Sequence, residues 1–276
     1  MLSDEMKKQL LQMVKSDNEP FDVTSAILDS KNCSVIIISK ENCVLSGLDE
    51  VKFLFESAGC KTFTNTKDGQ RIRKNSTILK IEGNNQVILG IERIALNVLG
   101  KMSGISTLCF ETKKLIKNNV KLAMTRKTTP GFNDFEKKAA EIVGVLPHRK
   151  NLGDGVLIKD NHLFFFDSIK KALQKAKSKK YSHKIEIEVE SFEQAKLAAE
   201  NGADIILLDN FSVEKAKKTI NFLREHFSKI VLEVSGGINK ENLLKFAECE
   251  PDYISMGFLS KNAKMFDFSM EVLKWK

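Results

Sequence analysis

Short apolar runs that end abruptly in charged or polar residues recur along the second half of the chain. The run at 156–158 is followed directly by Lys-Asp-Asn-His at 159–162. Three other runs end in the same way, at Arg126-Lys127, at Asp209-Asn210 and at Ser235-Gly236-Gly237. In a barrel of parallel strands, ligands and chemistry lie where the carboxyl ends of the strands meet the following loops. The pattern therefore predicts one site built from several strands, which is typical of an enzyme.

From residue 121 onward, strand-like and helix-like segments alternate. Helical periodicity is clear over 192–201 and 213–227. Such alternation predicts βαβ units and a parallel sheet. A closed or nearly closed α/β barrel is the preferred fold. An open doubly wound sheet ranks second, because no Gly-x-Gly-x-x-Gly follows a strand to mark a dinucleotide site. The predicted strands are 121–127, 155–160, 184–190, 204–210, 229–235 and 253–257.

The first part of the chain has a more local pattern. Residues 34–39, 61–65 and 77–82 are rich in β-branched residues or alternate between apolar and polar positions, which predicts strands. Residues 47–58 read as a helix between them, and a longer helix is predicted over 86–103. The chain is therefore expected to contain two differently organised parts.

Composition narrows the class of protein. The chain has 276 residues, of which 42% are hydrophobic and 29% charged, so it can bury a full core. A formal charge of +8 is compatible with nucleic-acid binding, but lysines are interspersed with glutamates and there are only two Tyr and one Trp to stack on bases. A solvated surface with a local basic pocket for an anionic substrate is preferred. No run approaches the roughly 18 apolar residues of a membrane span. We therefore expect a cytoplasmic protein without nucleic-acid or membrane partners.

Cysteine usage points to neither a disulfide framework nor a zinc site. The five cysteines are scattered and form no Cys-x-x-Cys pair. Buried or surface thiols are the preferred interpretation.

The strand ends carry groups suited to an anionic substrate. Arginine binds carboxylate or phosphate in bidentate fashion, and lysine supplies a more flexible charge. Glu188 and Asp209 are carboxylates that can hold Mg²⁺ through water or stabilise a developing cation. Ser235-Gly236-Gly237 precedes a helix expected near Lys240, where backbone N–H groups can bind phosphate. Together these groups indicate a substrate with several negative charges, a phosphate and a metal. The basic members are Arg126, Lys127, His148, Arg149 and Lys159.

Each of these features also has an ordinary explanation. Ser-Gly-Gly is usually a turn, a strand-end Asp-Asn is often a helix N-cap, and His-Arg is more often on the surface than in a site. Their placement on successive strand ends favours the functional interpretation of the set.

Two motifs of the chain are highly specific, Thr-Arg-Lys-Thr at 125–128 and Leu-Ile-Lys-Asp-Asn-His at 157–162. In these motifs the chain resembles the quinolinate phosphoribosyltransferases, also called nicotinate-nucleotide pyrophosphorylases (carboxylating). The motifs occur in the order of the family and cover nearly the whole chain. The others lie at 92–97, 102–105, 148–149, 186–188, 207–210 and 235–237.

The resemblance implies an α/β fold with an N-terminal α/β sandwich domain plus an incomplete (open) α/β barrel, as in type II phosphoribosyltransferases. The sandwich domain would comprise 1–108, joined by the C-terminal segment 265–276, and the barrel 109–264. A homodimer is also implied, with Arg93 contributed across the interface. On residue pattern alone, Arg93 would belong to a solvated helix face. A hexamer stays open.

The implied reaction transfers phosphoribose from phosphoribosyl pyrophosphate to quinolinate, with Mg²⁺, and releases the 2-carboxylate as CO₂. The products would be nicotinate mononucleotide and pyrophosphate, a step of NAD biosynthesis. By the motif match, Lys127, Lys159, Glu188 and Asp209 would be catalytic, and the two carboxylates would hold Mg²⁺, partly through water. The substrate-binding set would be Arg93, Arg126, Lys127, His148, Arg149, Lys159, Glu188, Asp209, Ser235, Gly236, Gly237, Gly257 and Lys261.

Several positions depart from the family pattern. Lys261 stands where the family usually has a histidine after the last barrel strand, and the segment 143–155 is altered around the acceptor pocket. A paralogue acting on another pyridine carboxylate, or a non-catalytic metabolite-binding protein, is therefore an alternative. The molybdenum-locus relatives match less well, because they lack Lys-Asp-Asn-His. The segment 68–82 also resembles half of a biotinyl/lipoyl carrier domain, but it lacks a lysine at a hairpin tip.

Overall fold

The computed structural model describes residues 2–275, which form two compact units. The first unit comprises the residues up to Phe110, the segment Asp134–Gly144 and the residues from Ala263 onward. The second comprises Glu111–Asn133 and Val145–Asn262.

The elements in chain order are α1 (Asp4–Asp17), a 3-10 helix (Ser25–Ile27), β1 (Asn32–Ser39), β2 (Cys43–Val44), α2 (Leu48–Ser57), β3 (Lys61–Phe63), β4 (Arg71–Ile72), β5 (Thr77–Asn84), α3 (Asn85–Lys113), β6 (Lys121–Met124), α4 (Asn133–Ile142), β7 (Val156–Ile158), α5 (Asp160–Leu163), α6 (Ile169–Ser178), β8 (Ile185–Val189), α7 (Phe192–Glu200), β9 (Ile205–Asp209), α8 (Val213–His226), β10 (Val231–Ser235), α9 (Leu243–Ala247), β11 (Tyr253–Met256), α10 (Phe258–Lys261) and β12 (Phe268–Trp275).

The first unit is built on an antiparallel sheet with the strand order β12-β1-β5-β3. Val35 and Ile37 of β1 are almost fully buried, as expected for a strand that alternates between two faces. The C-terminal strand β12 pairs with β1 from Cys33 to Ser39. This unit therefore draws on both ends of the chain.

Helix α4 also belongs to the first unit, although the predicted boundary placed it in the barrel. Its apolar face, with Phe135, Ala139 and Ala140, is fully buried. The Ser106 hydroxyl donates to the carbonyl of Ala139 at 2.7 Å. The segment between two barrel strands thus packs on α3, and sequence order alone did not show this.

Helix α3 continues ten residues beyond its predicted end at residue 103. A glycine at position 104 is a usual stop signal, but here Gly100 and Gly104 permit close approach of the chain at 264–266. The Phe266 N–H donates to the carbonyl of Gly100 at 3.1 Å, and a Cβ at Gly104 would collide with the carbonyl of Lys264. These glycines therefore allow close packing of that segment against α3, and the helix continues past both of them.

The second unit contains the predicted parallel sheet, with the strand order β6-β11-β10-β9-β8-β7. All six predicted strands are present. The strands β6 and β7 lie at opposite edges, and Leu146 adds a parallel bridge to Ala123 beside β6. An open α/β barrel, predicted from the motifs, is therefore confirmed.

Asp68 is a buried carboxylate in the first unit. One oxygen accepts a hydrogen bond from the Leu48 N–H at 3.0 Å, at the start of α2. Burial raises the pKa of Asp68 from 3.8 to about 6. The hydrogen bond from the Leu48 N–H lowers this pKa, whereas the negative charge of Glu50 also raises it. Because the folded state holds the proton more tightly than the unfolded state, Asp68 contributes to the free energy of unfolding at low pH. This contribution is lost as the pH rises through about 6.

Asp68→Asn should stabilise the chain at neutral pH. Asparagine keeps an oxygen for the Leu48 N–H and removes the buried charge. We expect the free energy of unfolding to rise by about 1–2 kcal/mol at pH 7–8, with the gain shrinking between pH 6 and pH 4. Urea unfolding across this range measures the effect, with Asp17→Asn on the exposed end of α1 as the control. An equal gain at pH 4 and pH 8 would contradict this account.

Candidate active site

A cavity of about 350 Å³ lies at the carboxyl ends of the parallel strands. Eight of the residues predicted from the strand ends line it together. These are Arg126, Lys127, His148, Arg149, Lys159, Glu188, Asp209 and Ser235. The remaining lining residues are Thr125, Leu157, Leu207, Glu233 and Ser255. Segments that are far apart in the sequence thus build one polar site.

Strand register explains why these side chains meet. Glu188 of β8 pairs with Leu207 of β9, and Asp209 of β9 pairs with Ser235 of β10. Side chains two residues apart lie on the same face of a strand. Buried apolar residues occupy the opposite face, for example Ile206 and Leu208 with no exposed side-chain surface. The alternation therefore directs polar groups to the cavity and apolar groups to the helices.

Lys159 and Glu188 form a direct ion pair inside the cavity. Lys159 Nζ lies 2.6 Å from Glu188 Oε2, and the Glu188 side chain is only 12% exposed. The Lys159 backbone N–H donates to Nδ1 of His162 at 3.0 Å. His162 thus fixes the turn into α5, which orients Lys159 at the strand end. This gives the Lys-Asp-Asn-His motif a physical function.

Asp209 is the second carboxylate of the cavity. Burial raises its pKa above the usual range, as does the negative charge of Glu188, whereas Lys159 and Lys127 oppose the shift. Two crowded carboxylate groups favour a cation between them, and their hard oxygen atoms suit Mg²⁺, which keeps several water or phosphate ligands. The donor set therefore fits the predicted metal. The N-cap interpretation of Asp209-Asn210 is wrong, because Ser212 caps α8.

The loop Ser235-Gly236-Gly237 needs its glycines. Gly236 and Gly237 have φ angles of +89° and +61°, which side-chain-bearing residues rarely adopt. A Cβ at Gly236 would lie 2.5 Å from the backbone nitrogen of Asn210. The helix expected near Lys240 is the five-residue α9, which begins at Leu243. Phosphate binding here would therefore depend on the loop and not on a helix terminus.

His148 lies between two buried glutamates that the sequence prediction did not assign to the site. Its Nε2 is 3.1 Å from Glu233 Oε2 and 3.5 Å from Glu186 Oε1. Burial opposes the positive charge, but the interactions with the carboxylates of Glu186 and Glu233 outweigh it and raise the pKa of His148 to about 9. A glutamate inside an apolar strand was the signal that could have identified Glu233.

This trio is also a possible metal-ligand group by geometry. Its donor atoms all lie within 4.8 Å of one another, the only such group of three or more among the described residues. A metal needs the neutral imidazole, however, and the raised pKa of His148 favours the protonated ring. The Glu188–Asp209 pair is therefore the better candidate for a cation.

The two arginines of the cavity differ in their freedom. Arg149 is partly buried and donates from Nη1 to the carbonyl of Gly155 at 3.2 Å, and burial lowers its pKa. Arg126 is exposed at the cavity. A fixed guanidinium and an accessible one can hold two carboxylates at separate positions.

The other predicted residues do not line this cavity. Gly257 lies beside Lys127, where a Cβ would be 3.1 Å from Cδ, and Ser260 Oγ donates to the Lys127 carbonyl at 2.7 Å. Lys261 is exposed at the end of α10, and Arg93 is exposed on α3 in the first unit. Roles for Arg93 and Lys261 stay predictions.

Models of one protein family match both parts of the chain. Residues 22–103 match the N-terminal domain of quinolinate phosphoribosyl transferase, and residues 105–271 match the C-terminal domain. The chain belongs to the quinolinate phosphoribosyltransferase family. The resemblance drawn from the motifs is thereby confirmed, and the segment 68–82 falls within the N-terminal domain of this family and not in a separate carrier domain.

Individual members of the family are similar to this chain over nearly their full length. The chain is 39% identical to the probable nicotinate-nucleotide pyrophosphorylase (carboxylating) of Archaeoglobus fulgidus, over 92% of this chain and 98% of that protein. It is 32% identical to the nicotinate-nucleotide pyrophosphorylase (carboxylating) of Dictyostelium discoideum, over 98% and 96%. The structure of the nicotinate-nucleotide pyrophosphorylase from Francisella tularensis superposes with a TM-score of 0.92 at 30% identity, covering 99% and 98% of the two chains.

Within residues 2–275 of this family member, no helix combines the length and the apolar character that crossing a membrane requires.

Proposed function

We propose that this protein is a pentosyltransferase that makes nicotinate mononucleotide from quinolinate and phosphoribosyl pyrophosphate, releasing pyrophosphate and CO₂, for NAD biosynthesis. The observation that carries the proposal is one cavity in which a cluster of cationic side chains faces the Glu188–Asp209 carboxylate pair. The names of the relatives support the same reaction.

The cationic side would bind the acceptor. Quinolinate carries two adjacent carboxylates, and Arg126 and Arg149 can each bind one in bidentate fashion. His148, held in its charged form, adds a third donor. Several fixed donors around one ring would orient its nitrogen toward the sugar, and such positioning lowers the barrier to transfer.

The carboxylate side would support the donor. As the bond from C1 of the ribose to pyrophosphate breaks, positive charge develops on the sugar, and Glu188 and Asp209 would stabilise it. Lys127 and Lys159 would face the departing diphosphate, and the Ser235-Gly236-Gly237 loop would hold the 5′-phosphate. Glu188 and Asp209 would also hold Mg²⁺, partly through water, which when bound neutralises charge on the diphosphate.

Decarboxylation then follows from the first step. Attack by the ring nitrogen forms the N–C1 bond and makes the pyridinium, which is an electron sink. When the bond between C2 and its carboxylate breaks, CO₂ leaves and the electron pair stays on C2. A proton replaces the lost group. The chemistry requires no redox step.

A product assay tests the proposal. Purified protein is incubated with phosphoribosyl pyrophosphate, Mg²⁺ and quinolinate, and nicotinate mononucleotide is sought by mass spectrometry. Nicotinate and other pyridine dicarboxylates run in parallel. Product from quinolinate alone is expected. Product only from another acceptor would indicate a paralogue of changed specificity, and binding of quinolinate without turnover would indicate a metabolite-binding protein.

We further propose a homodimer in which Arg93 enters the site of the partner subunit. Arg93→Ala should then lose most of its activity. Mixing it with the inactive Lys159→Ala variant should restore some turnover, since hybrid dimers contain one site with both residues intact. Arg73→Ala, another exposed arginine of the first unit, serves as the control for charge loss. No recovery on mixing, after exchange of subunits has been verified, would contradict a shared site.

A further inference from the structure

Glu233 is a charged residue inside an otherwise apolar strand. It lies in the middle of β10, two residues before Ser235, and only 3% of its surface is exposed. Glu186 lies in β8, two residues before Glu188, and is 5% exposed. A buried carboxylate without a partner is strongly unfavourable, so its partner indicates its purpose. For both glutamates that partner is His148.

The His148 ring is held from one side by this pair. Both carboxylates approach the same ring nitrogen, Nε2, with Glu233 nearer at 3.1 Å and Glu186 at 3.5 Å. The backbone of His148 has a φ angle of +51°, and Leu146, two residues earlier, exchanges backbone hydrogen bonds with β6. The ring is therefore fixed both through its backbone and through Nε2.

The charged groups of this cluster border two cavities. His148 and Arg149 line both the cavity at the carboxyl ends of the strands and a second cavity of about 340 Å³ toward the other ends, whereas Glu186 lines only the second. Glu233 borders both cavities. Both cations can thus be reached from the proposed acceptor cavity, whereas one of the two carboxylates, Glu186, does not line it.

This arrangement of charges suits the binding of a ring that carries carboxylates. The four charges cancel in sum, which limits the cost of burying them. The cations nevertheless line the cavity where a carboxylate of the substrate would bind. Without the glutamates, burial would favour the neutral imidazole, since burial alone lowers the pKa of His148.

We propose that Glu233 is a positioning residue for the acceptor, holding the His148 ring as a fixed cation against a carboxylate of the substrate, with Glu186 as a weaker second support. This inference rests on the proposed function. It predicts that the effect of losing Glu233 falls on acceptor binding and on neither the sugar diphosphate nor the chemical step.

The test compares Glu233→Gln with Glu186→Gln, which remove one charge each and keep the shape. For Glu233→Gln, KM for quinolinate should rise roughly tenfold or more, as expected for a lost charged hydrogen bond. KM for phosphoribosyl pyrophosphate should stay within about twofold, and kcat should change little. Glu186→Gln should give a smaller rise in KM. Equal KM values for quinolinate in wild type and Glu233→Gln would overturn the inference.

A direct readout separates positioning from a general structural effect. The chain has four histidines, so NMR can follow the His148 ring, assigned by a His148→Asn variant. In Glu233→Gln the pKa of His148 should fall from about 9 toward 6.5. As the pH is raised, quinolinate binding should therefore be lost at a lower pH in this variant than in wild type. If Glu233→Gln fails to fold, Glu233→Asp keeps the charge at a greater distance and should raise KM less than tenfold. A pKa of His148 that does not move in either variant would overturn the inference.

Calorimetry with quinolinate keeps the two hypotheses apart. If wild type does not bind quinolinate, the proposed function fails. If wild type binds it and Glu233→Gln binds it equally well, only the inference about Glu233 fails.

Discussion

Lys159→Ala should lower kcat by roughly two to three orders of magnitude, the usual cost of losing a group that stabilises transition-state charge. Lys159 lies 2.6 Å from Glu188 and moderates the pKa of Asp209. Its loss removes a cation facing the diphosphate and leaves the two carboxylates without their nearest counter-charge. Stabilisation of the departing diphosphate and correct placement of the two carboxylates should therefore both be weakened. Steady-state formation of nicotinate mononucleotide measures the effect.

The control for Lys159→Ala is Lys170→Ala, which removes an exposed lysine from α6 in the same unit. It should keep kcat within about twofold, as surface changes away from a site usually do. Lys159→Arg should recover only part of the activity, because the guanidinium is larger and differently shaped. A kcat for Lys159→Ala within about threefold of wild type would refute a role of Lys159 in charge stabilisation.

Arg126→Ala should raise KM for quinolinate by about a hundredfold, since losing a bidentate contact to a carboxylate costs about 2–3 kcal/mol. Arg126 is the accessible guanidinium of the cavity, whereas Arg149 is already bonded to the carbonyl of Gly155. No other side chain there offers the same planar pair of donors to the second carboxylate. Isothermal titration with quinolinate gives the binding constant directly.

The matched variants for Arg126 are Arg126→Lys and Arg73→Ala. Lysine keeps the charge without the bidentate geometry, so it should recover less than half of the lost binding energy. Arg73→Ala removes an exposed arginine of the first unit and should leave KM unchanged. An unchanged KM for quinolinate in Arg126→Ala would remove Arg126 from the acceptor pocket.

The sequence predicted the sheet of the second unit well, because buried parallel strands appear as short apolar runs with abrupt polar ends. The run at 205–209 and its polar terminus were both located correctly. Ends of helices were predicted less well. Gly104 is a stop signal by local rules, yet tertiary contact with the chain at Lys264 decides its use.

Non-local packing accounts for what the sequence did not show. The apolar face of α4 does not reveal which sheet or helix it covers, so its membership in the first unit was missed. Glu233 was missed for a similar reason. A single glutamate in a strand has no visible partner until β10 is placed beside the segment that carries His148. The strand-end residues were found because one topological rule brings all strand ends together.

The most direct measurement uses quinolinate labelled with ¹³C in its 2-carboxylate. Labelled CO₂ and nicotinate mononucleotide are measured together, with phosphoribosyl pyrophosphate and Mg²⁺, for wild type and for Lys159→Ala. We expect equal amounts of both products from wild type and almost none from the variant. CO₂ release without the nucleotide, or neither product from a wild-type protein that binds both substrates, would contradict it.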